Sequence, residues 1–253
     1  MATVIYPSPI FGPVHSRRLG VSLGINLLPA DGKVCSFDCI YCECGFNADF
    51  RPKQKMPARK AVSYALEAKL QEMLKDGELP DVLTFAGNGE PTLHPDFPAI
   101  ISDTRRLRDR LCPSAKISVL TNGTQILRPE VHEALMLVDN NIVKLDTVDA
   151  DFIRLADRPT GHYDVQSIIN GMKAFHGQCI IQTMFLTGSV DNTSDAYVSP
   201  WLQAVEEIKP RSVMIYTIDR ETPDTSLRKA PPPVLDSIAE RVRTLDIECS
   251  VAY

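Results

Sequence analysis

No stretch of this 253-residue chain approaches the roughly 20 consecutive apolar residues that a membrane span needs. Residues 1–13 lack the basic segment and apolar run of a secretory signal. No membrane span is therefore expected, and the chain reads as cytoplasmic. Excess positive charge is missing too: 27 Lys and Arg stand against 32 Asp and Glu. With a net charge of −5 no global field draws the protein to nucleic acid or anionic lipid, so any such contact has to be local. A linker separating two cores is also absent. Pro7–Pro13 and Pro231–Pro233 read as surface connections, which leaves residues 1–253 as one domain. Finally, no cysteine precedes Cys35, and Cys35, Cys39, Cys42 and Cys44 lie far too close together for a disulfide framework. In a reducing compartment such crowding points to metal.

With 44% hydrophobic residues, the chain has ample material for a core. Val62, Leu66, Leu70 and Met73 fall on one helical face, as do Phe97, Ile100, Ile101, Thr104, Leu107 and Leu111. A third face is Val165, Ile168, Ile169, Met172 and Phe175, with Asp164 placed as N-cap. Further helices are expected at Pro129–Val138, Trp201–Ile208 and Leu235–Leu245. Between them lie strand-like runs at Ser22–Leu28, Asp81–Ala86, Lys116–Thr121, Ile142–Asp146, Cys179–Leu186, Val213–Ile218 and Ile247–Val251. Most are apolar on both faces, as parallel strands covered by helices are. Repeated βαβ units give an α/β fold, either a barrel or a doubly wound sheet.

The segment Cys35-Ser-Phe-Asp-Cys39-Ile-Tyr-Cys42 spaces three thiols as CxxxCxxC. Three thiolates cannot close a four-iron cluster, and the iron left without a protein ligand is the open position that a catalytic centre needs. Two other readings of the same residues stand beside it. A structural zinc knuckle would use Cys44 as a fourth thiolate, although zinc pairs are usually split by a longer loop. A ferredoxin-type carrier would bring a fourth cysteine and rarely need so large a scaffold. Cys112, Cys179 and Cys249 are read as core or surface thiols.

A second motif, Gly87-Asn88-Gly89-Glu90-Pro91, follows the strand Asp81–Ala86, at the strand end where α/β folds collect ligands. Its glycines suit close backbone approach. The alternative is a tight turn before a helix, with Glu90 near the helix N-terminus. Asn122 and Gly123 follow the third strand. Lys144 and Asp146 alternate along the fourth and so share a face, either as ligand contacts or as a structural pair. Gln182, Met184, Tyr216 and Thr217 are weaker candidates.

Together the CxxxCxxC loop and the Asn88-Gly89-Glu90 turn resemble the radical S-adenosylmethionine superfamily, across nearly the whole chain. The resemblance implies a partial (βα)6 barrel. It implies a [4Fe-4S] cluster on Cys35, Cys39 and Cys42 whose open iron chelates the amino and carboxylate groups of S-adenosylmethionine. Reductive cleavage of that cofactor would give a 5′-deoxyadenosyl radical that abstracts hydrogen from substrate. An external one-electron donor such as flavodoxin or ferredoxin is implied as well. Tyr41 matches an adenine contact, and Asn88-Gly89-Glu90 stands where the family's Gly-Gly-Glu binds the methionine amino group, with the first glycine replaced. Asn122, Lys144 and Asp146 complete the expected cofactor contacts.

The stretch from Phe11 to Ile25 and the Gly87–Pro95 motif resemble the branch holding the wyosine-type transfer-RNA-modifying enzymes. The absence of a cysteine before Cys35 departs from true wyosine synthases, which hold a second cluster. The chain also ends soon after its seventh strand, so no appended RNA- or peptide-reading domain is expected. The substrate reading leans to an RNA base, with Arg17, Arg18, Arg51, Lys53, Lys55, Arg59 and Lys60 gathered around the cluster loop; the opposing reading is a solvated charged loop, or Arg17 and Arg18 serving the cluster or the cofactor carboxylate. An activase acting on a partner protein, a small-molecule enzyme of the same class, and a non-enzymatic zinc or iron–sulfur module are the alternatives.

Overall fold

The computed structural model describes residues 4–16 and 20–253, so Arg17 and Arg18 lie outside the described residues. The first strands are β1 (Ile10–Ser16) and β2 (Gly20–Ile25). A long loop leads to α1 (Arg59–Asp76), β3 (Val82–Phe85), α2 (Phe97–Leu111), β4 (Lys116–Thr121), α3 (Pro129–Met136) and β5 (Asn140–Lys144). A short turn α4 (Ala150–Phe152) runs into a π-helical turn, Ile153–Asp157, ahead of α5 (Val165–Lys173) and β6 (Cys179–Met184). The chain continues through β7 (Leu186–Thr187), α6 (Asp195–Ile208), β8 (Ser212–Tyr216), β9 (Arg228–Lys229), α7 (Pro232–Arg243) and β10 (Glu248–Ala252).

The sheet order is β1-β2-β3-β4-β5-β6-β8-β10, with β7 and β9 forming a separate antiparallel ribbon. From β2 onward every pairing in the large sheet is parallel. This is the α/β architecture expected, six strand–helix units closed by a last strand. β1 and β10 are its two free ends, so the barrel is open.

Three expectations need correction. Pro7–Pro13 is not merely a connection, because residues 10–16 form β1, antiparallel to β2 with a register shift between Phe11 and Val14. Pro13 is tolerated there because an edge strand can lack a ladder donor. Pro232 and Pro233 open α7, where a missing N–H costs nothing. Helix α6 begins six residues before Trp201 and carries Pro200 inside it.

Alternation along the strands divides the sheet into two faces. Leu23, Ile25, Leu83, Phe85, Ile117, Val119, Val143, Ile181, Val213 and Ile215 join the predicted helix faces in one buried cluster. Cys112, Cys179 and Cys249 belong to it, as small hydrophobes. The other face is polar: the Ser22 and Thr84 hydroxyls meet at 2.8 Å, and Asn140 donates to Ser118 Oγ at 2.8 Å. Lys144 and Asp146 sit at the upper end of that inner face.

One buried carboxylate braces the helical layer. Asp103 on α2 accepts from Arg59 Nε at 2.7 Å and Nη2 at 2.9 Å, at the start of α1. The Arg59 hydrogen bonds outweigh burial and hold the Asp103 carboxyl below the ordinary carboxylate range. A depressed folded-state pKa contributes stability that is complete above the unfolded value of about 3.9 and is lost as pH falls through the folded one. Asp103→Asn should therefore lower Tm at neutral pH, by the equivalent of about 1 kcal/mol, because the Arg59 side of the pair is open to solvent. The gap to wild type should close as acid protonates Asp103. A gap that stays constant down to about pH 2 would refute this account.

Candidate active site

The loop between β2 and α1 carries the cysteine motif and lies over the C-terminal ends of the strands. Two seams hold it. On one side Val34 pairs with Gly89 as an isolated parallel bridge. Val34 N–H donates to Asn88 O at 2.9 Å, and Glu90 N–H donates to Val34 O at 3.1 Å. Gly89 has φ of +130°, and a Cβ there would sit 1.9 Å from Val34 O, so only glycine lets the loop backbone come this close.

On the other side, Phe37 pairs with Pro159. Ile40 N–H donates to Ala156 O at 2.9 Å, Asp38 N–H to Asp157 O at 3.0 Å, and Thr160 N–H to Ser36 O at 2.9 Å. The loop is thus strung between the strand end after β3 and the segment after the π-helical turn.

Cys35, Cys39 and Cys42 are the half-buried cysteines; Cys44 and the three core thiols are buried. Cys42 N–H donates to Cys39 O at 3.1 Å, closing a turn that brings these two together. Asn122 Nδ2 reaches Cys35 Sγ at 3.6 Å and Ser36 Oγ at 2.9 Å. Cys44 Sγ lies 3.5 Å from Gly87 O. Burial pushes the Cys35 thiol up to about 12 and Cys39 up as well. Cys42 moves the other way, to about 6, chiefly through a hydrogen bond from Cys44.

Lys33 is folded beneath the loop, its ammonium donating to Gly45 O at 2.6 Å and lying 3.5 Å from Asp38. Among the described residues no three Cys, His, Asp or Glu side chains converge on a point that would hold a single ion. A closed zinc site with bonds of about 2.3 Å requires that convergence. Three half-buried thiols, one buried cation and an amide donor fit an anionic iron–sulfur cluster.

The sequence reading takes Asn88 and Glu90 as cofactor contacts, but both side chains are committed to the protein. Asn88 is fully buried; its Nδ2 donates to Tyr6 O at 2.9 Å and Pro29 O at 2.8 Å, and its Oδ1 accepts from Tyr6 N–H at 2.7 Å. Glu90 is 1% exposed. Its Oε1 accepts from Thr92 N–H, Thr92 Oγ1 and Thr121 Oγ1, and its Oε2 from Asn122 N–H at 2.7 Å. Burial still raises its pKa. These side chains shape the turn, and what the turn exposes is main chain.

Lys144, Asp146 and Tyr41 do come together, around a residue the sequence did not mark. The Lys144 ammonium lies 4.6 Å from the Tyr41 ring centroid, bonds Asp146, and sits 3.0 Å from Asp157 Oδ1. The Tyr41 hydroxyl bonds Asp146 and donates to Asp157 Oδ1 at 3.2 Å. Asp146 Oδ1 accepts Met184 N–H at 2.8 Å. Burial alone would lower Lys144, but Asp146 and Asp157 raise it well above its usual range; burial lifts Asp157 to about 7 against the pull of Lys144.

Asp157 escaped detection because it ends a π-helical turn, which has no apolar period to read. Among the weaker candidates, Thr217 is spent on Ala230 N–H at 2.8 Å, and Met184 and Tyr216 belong to an apolar cluster with Ile40, Phe152 and Ile218. Of the basic residues, Arg59 is paired with Asp103, whereas Arg51, Lys53, Lys55 and Lys60 are exposed.

The Radical SAM superfamily model matches residues 31–197. A protein of Brachyspira hyodysenteriae named GTPase Obg is 31% identical over 84% of this chain, which spans 30% of that protein. UPF0026 protein MJ1312 of Methanocaldococcus jannaschii is 31% identical over 91% of this chain and 68% of its own length. Among solved structures, a radical SAM methyltransferase from Sphaerobacter thermophilus superimposes with a TM-score of 0.67 at 14% identity, over 92% of this chain and 66% of that one. TYW1 with a lysine-pyruvate adduct bound gives 0.65 at 14% identity, over 89% and 72%. At such identities the structural matches speak for the fold.

Proposed function

Because this chain belongs to the radical SAM superfamily, whose members use a [4Fe-4S] cluster and S-adenosylmethionine, we propose that Cys35, Cys39 and Cys42 hold that cluster. The observation that carries the reading is the loop itself, strung over the strand ends with three half-buried thiols beside Asn122 and above Lys33. When bound, cluster and cofactor supply one-electron cleavage of the sulfonium carbon–sulfur bond and a 5′-deoxyadenosyl radical for hydrogen abstraction. The chain's own residues bind and orient. Asn122 donates toward Cys35, and Lys33 offsets the negative charge of the thiolates.

Asn88 O is taken by Val34 N–H and Glu90 O by Leu93 N–H, so the turn would offer the Gly89 carbonyl to the methionine end of the cofactor, and Tyr41 with the Lys144–Asp146 pair would serve its nucleoside end. Ile40, Phe152, Met184 and Ile218 keep one wall apolar and exclude water. An external carrier such as flavodoxin or ferredoxin delivers the electron.

Anaerobic reconstitution with iron and sulfide, followed by reduction in the presence of S-adenosylmethionine, tests the reading. The expected result is a four-iron complement and release of 5′-deoxyadenosine. A fully iron-loaded protein that leaves the cofactor intact under reduction would sink it.

For the substrate we favour an RNA base. The exposed cations Arg51, Lys53, Lys55 and Lys60 flank the cluster loop of an otherwise acidic chain. Phosphates held there would give a salt-dependent affinity, each adding about one unit to the logarithmic slope. Small RNA should bind the wild type in this manner, and a variant with Lys53, Lys55 and Lys60 neutralised should lose it. No binding at low salt would move the assignment to a small molecule or a partner protein.

A further inference from the structure

We propose that Asp157 is a positioning residue, which locks the Lys144–Tyr41 face to the loop at Cys39 so that cofactor-binding face and cluster loop stay in one fixed relation. This rests on the reading of Cys39 as a cluster ligand and of Lys144 and Tyr41 as cofactor contacts. Asp157 is buried, with its side chain 4% exposed. One oxygen, Oδ1, lies 3.0 Å from Lys144 Nζ, 3.2 Å from the Tyr41 hydroxyl and 3.9 Å from Cys39 Sγ. That single atom therefore touches an element of the cofactor face, an aromatic of the motif and a candidate iron ligand.

The main chain repeats the connection. Asp157 O accepts from Asp38 N–H, next to Cys39, and Ala156 O accepts from Ile40 N–H on its other side. Both neighbours of Cys39 are thus hydrogen-bonded to the same turn. The backbone that achieves this is unusual: a π-helical turn, Ile153–Asp157, followed by Arg158 at φ +49°. Such turns are uncommon, and they often occur where function needs a residue re-aimed. Here the wider turn directs the Asp157 carboxylate toward the sheet's inner face while its carbonyl faces the loop.

Lys144 also bonds Asp146, so Asp157 is not its sole counter-charge. A purely structural carboxylate could consequently be lost with a change in Tm alone. A positioning role predicts more, because outer-shell partners of a metal site typically alter ligand affinity about 10–100-fold when removed.

The full-length chain, reconstituted anaerobically, is compared with Asp157→Ala and Asp157→Asn. Iron content, Tm, S-adenosylmethionine affinity by equilibrium dialysis, and the electron paramagnetic resonance spectrum of the reduced cluster with and without cofactor are measured. Asp157→Ala should keep its iron, bind S-adenosylmethionine about 10-fold more weakly and show a diminished cofactor-induced spectral change. Asp157→Asn, which keeps an acceptor for Tyr41 and Lys144, should lose measurably less than Asp157→Ala.

Wild-type affinity and a wild-type spectral response in a folded, iron-loaded Asp157→Ala protein would overturn the proposal alone. So would loss of iron equal to that of Cys39→Ala, since the residue would then be needed to hold the cluster at all. Absence of any cofactor response in the wild type would instead overturn the site assignment and this inference with it. Should the Ala variant not fold, Asp157→Asn decides, and affinity equal to wild type would overturn the proposal.

Discussion

Cys39→Ala, like Cys35→Ala and Cys42→Ala, is expected to reduce cluster iron and 5′-deoxyadenosine release to background, while Cys44→Ala retains both. The difference follows from placement. Three thiols are half-buried in the loop, whereas Cys44 is 3% exposed and turned toward Gly87 O. With only three protein ligands available, losing one leaves two irons without protein support. The Cys44 thiol is directed to Gly87 O, so Cys44→Ala should leave cluster occupancy in place. Iron and sulfide analysis with the nucleoside assay on all four variants checks this. If Cys44→Ala loses iron while one of the three is dispensable, the ligand assignment is wrong and a four-thiolate site returns.

Gly89→Ala should be nearly as damaging although it removes no functional group. The added methyl would meet Val34 O at 1.9 Å, and the residue would have to hold φ of +130°. The strain costs about 1–3 kcal/mol. Lifting the loop away instead breaks the bonds Val34 N–H to Asn88 O and Glu90 N–H to Val34 O, each contributing roughly 0.5–1.5 kcal/mol. Either way the seam that holds the cluster loop over the strand ends is weakened, and iron loading should fall with Tm.

Gly77→Ala is the control. It follows α1 at φ +75° with nothing within 4 Å of a new Cβ, so it should cost only about 1–2 kcal/mol and spare the iron. Equal iron content in the two variants would show that the Val34–Gly89 bridge does not set the loop.

The sequence by itself determined the architecture and the chemistry-bearing loop, because both are written in local spacing. Strands buried on both faces read as continuous apolar runs, and helices at Val62–Met73 or Phe97–Leu107 as repeats of three and four, so periodicity located them within a few residues. CxxxCxxC needs no tertiary context to bring three thiols into one loop. What the tertiary structure alone decided was which polar groups face a ligand and which face the protein. Asn88 and Glu90 sit in a motif that invites a binding role, yet long-range partners, Tyr6 for one and Thr121 and Asn122 for the other, occupy their side chains. Strand β1 was hidden by Pro13 within it and by the prolines before it, since pairing at an edge depends on a neighbour rather than on propensity. Asp157 lies 118 positions from Cys39 in the chain and 3.9 Å from its sulfur. A contact of that kind is created only when the π-helical turn after β5 and the cluster loop meet, and no residue spacing encodes it.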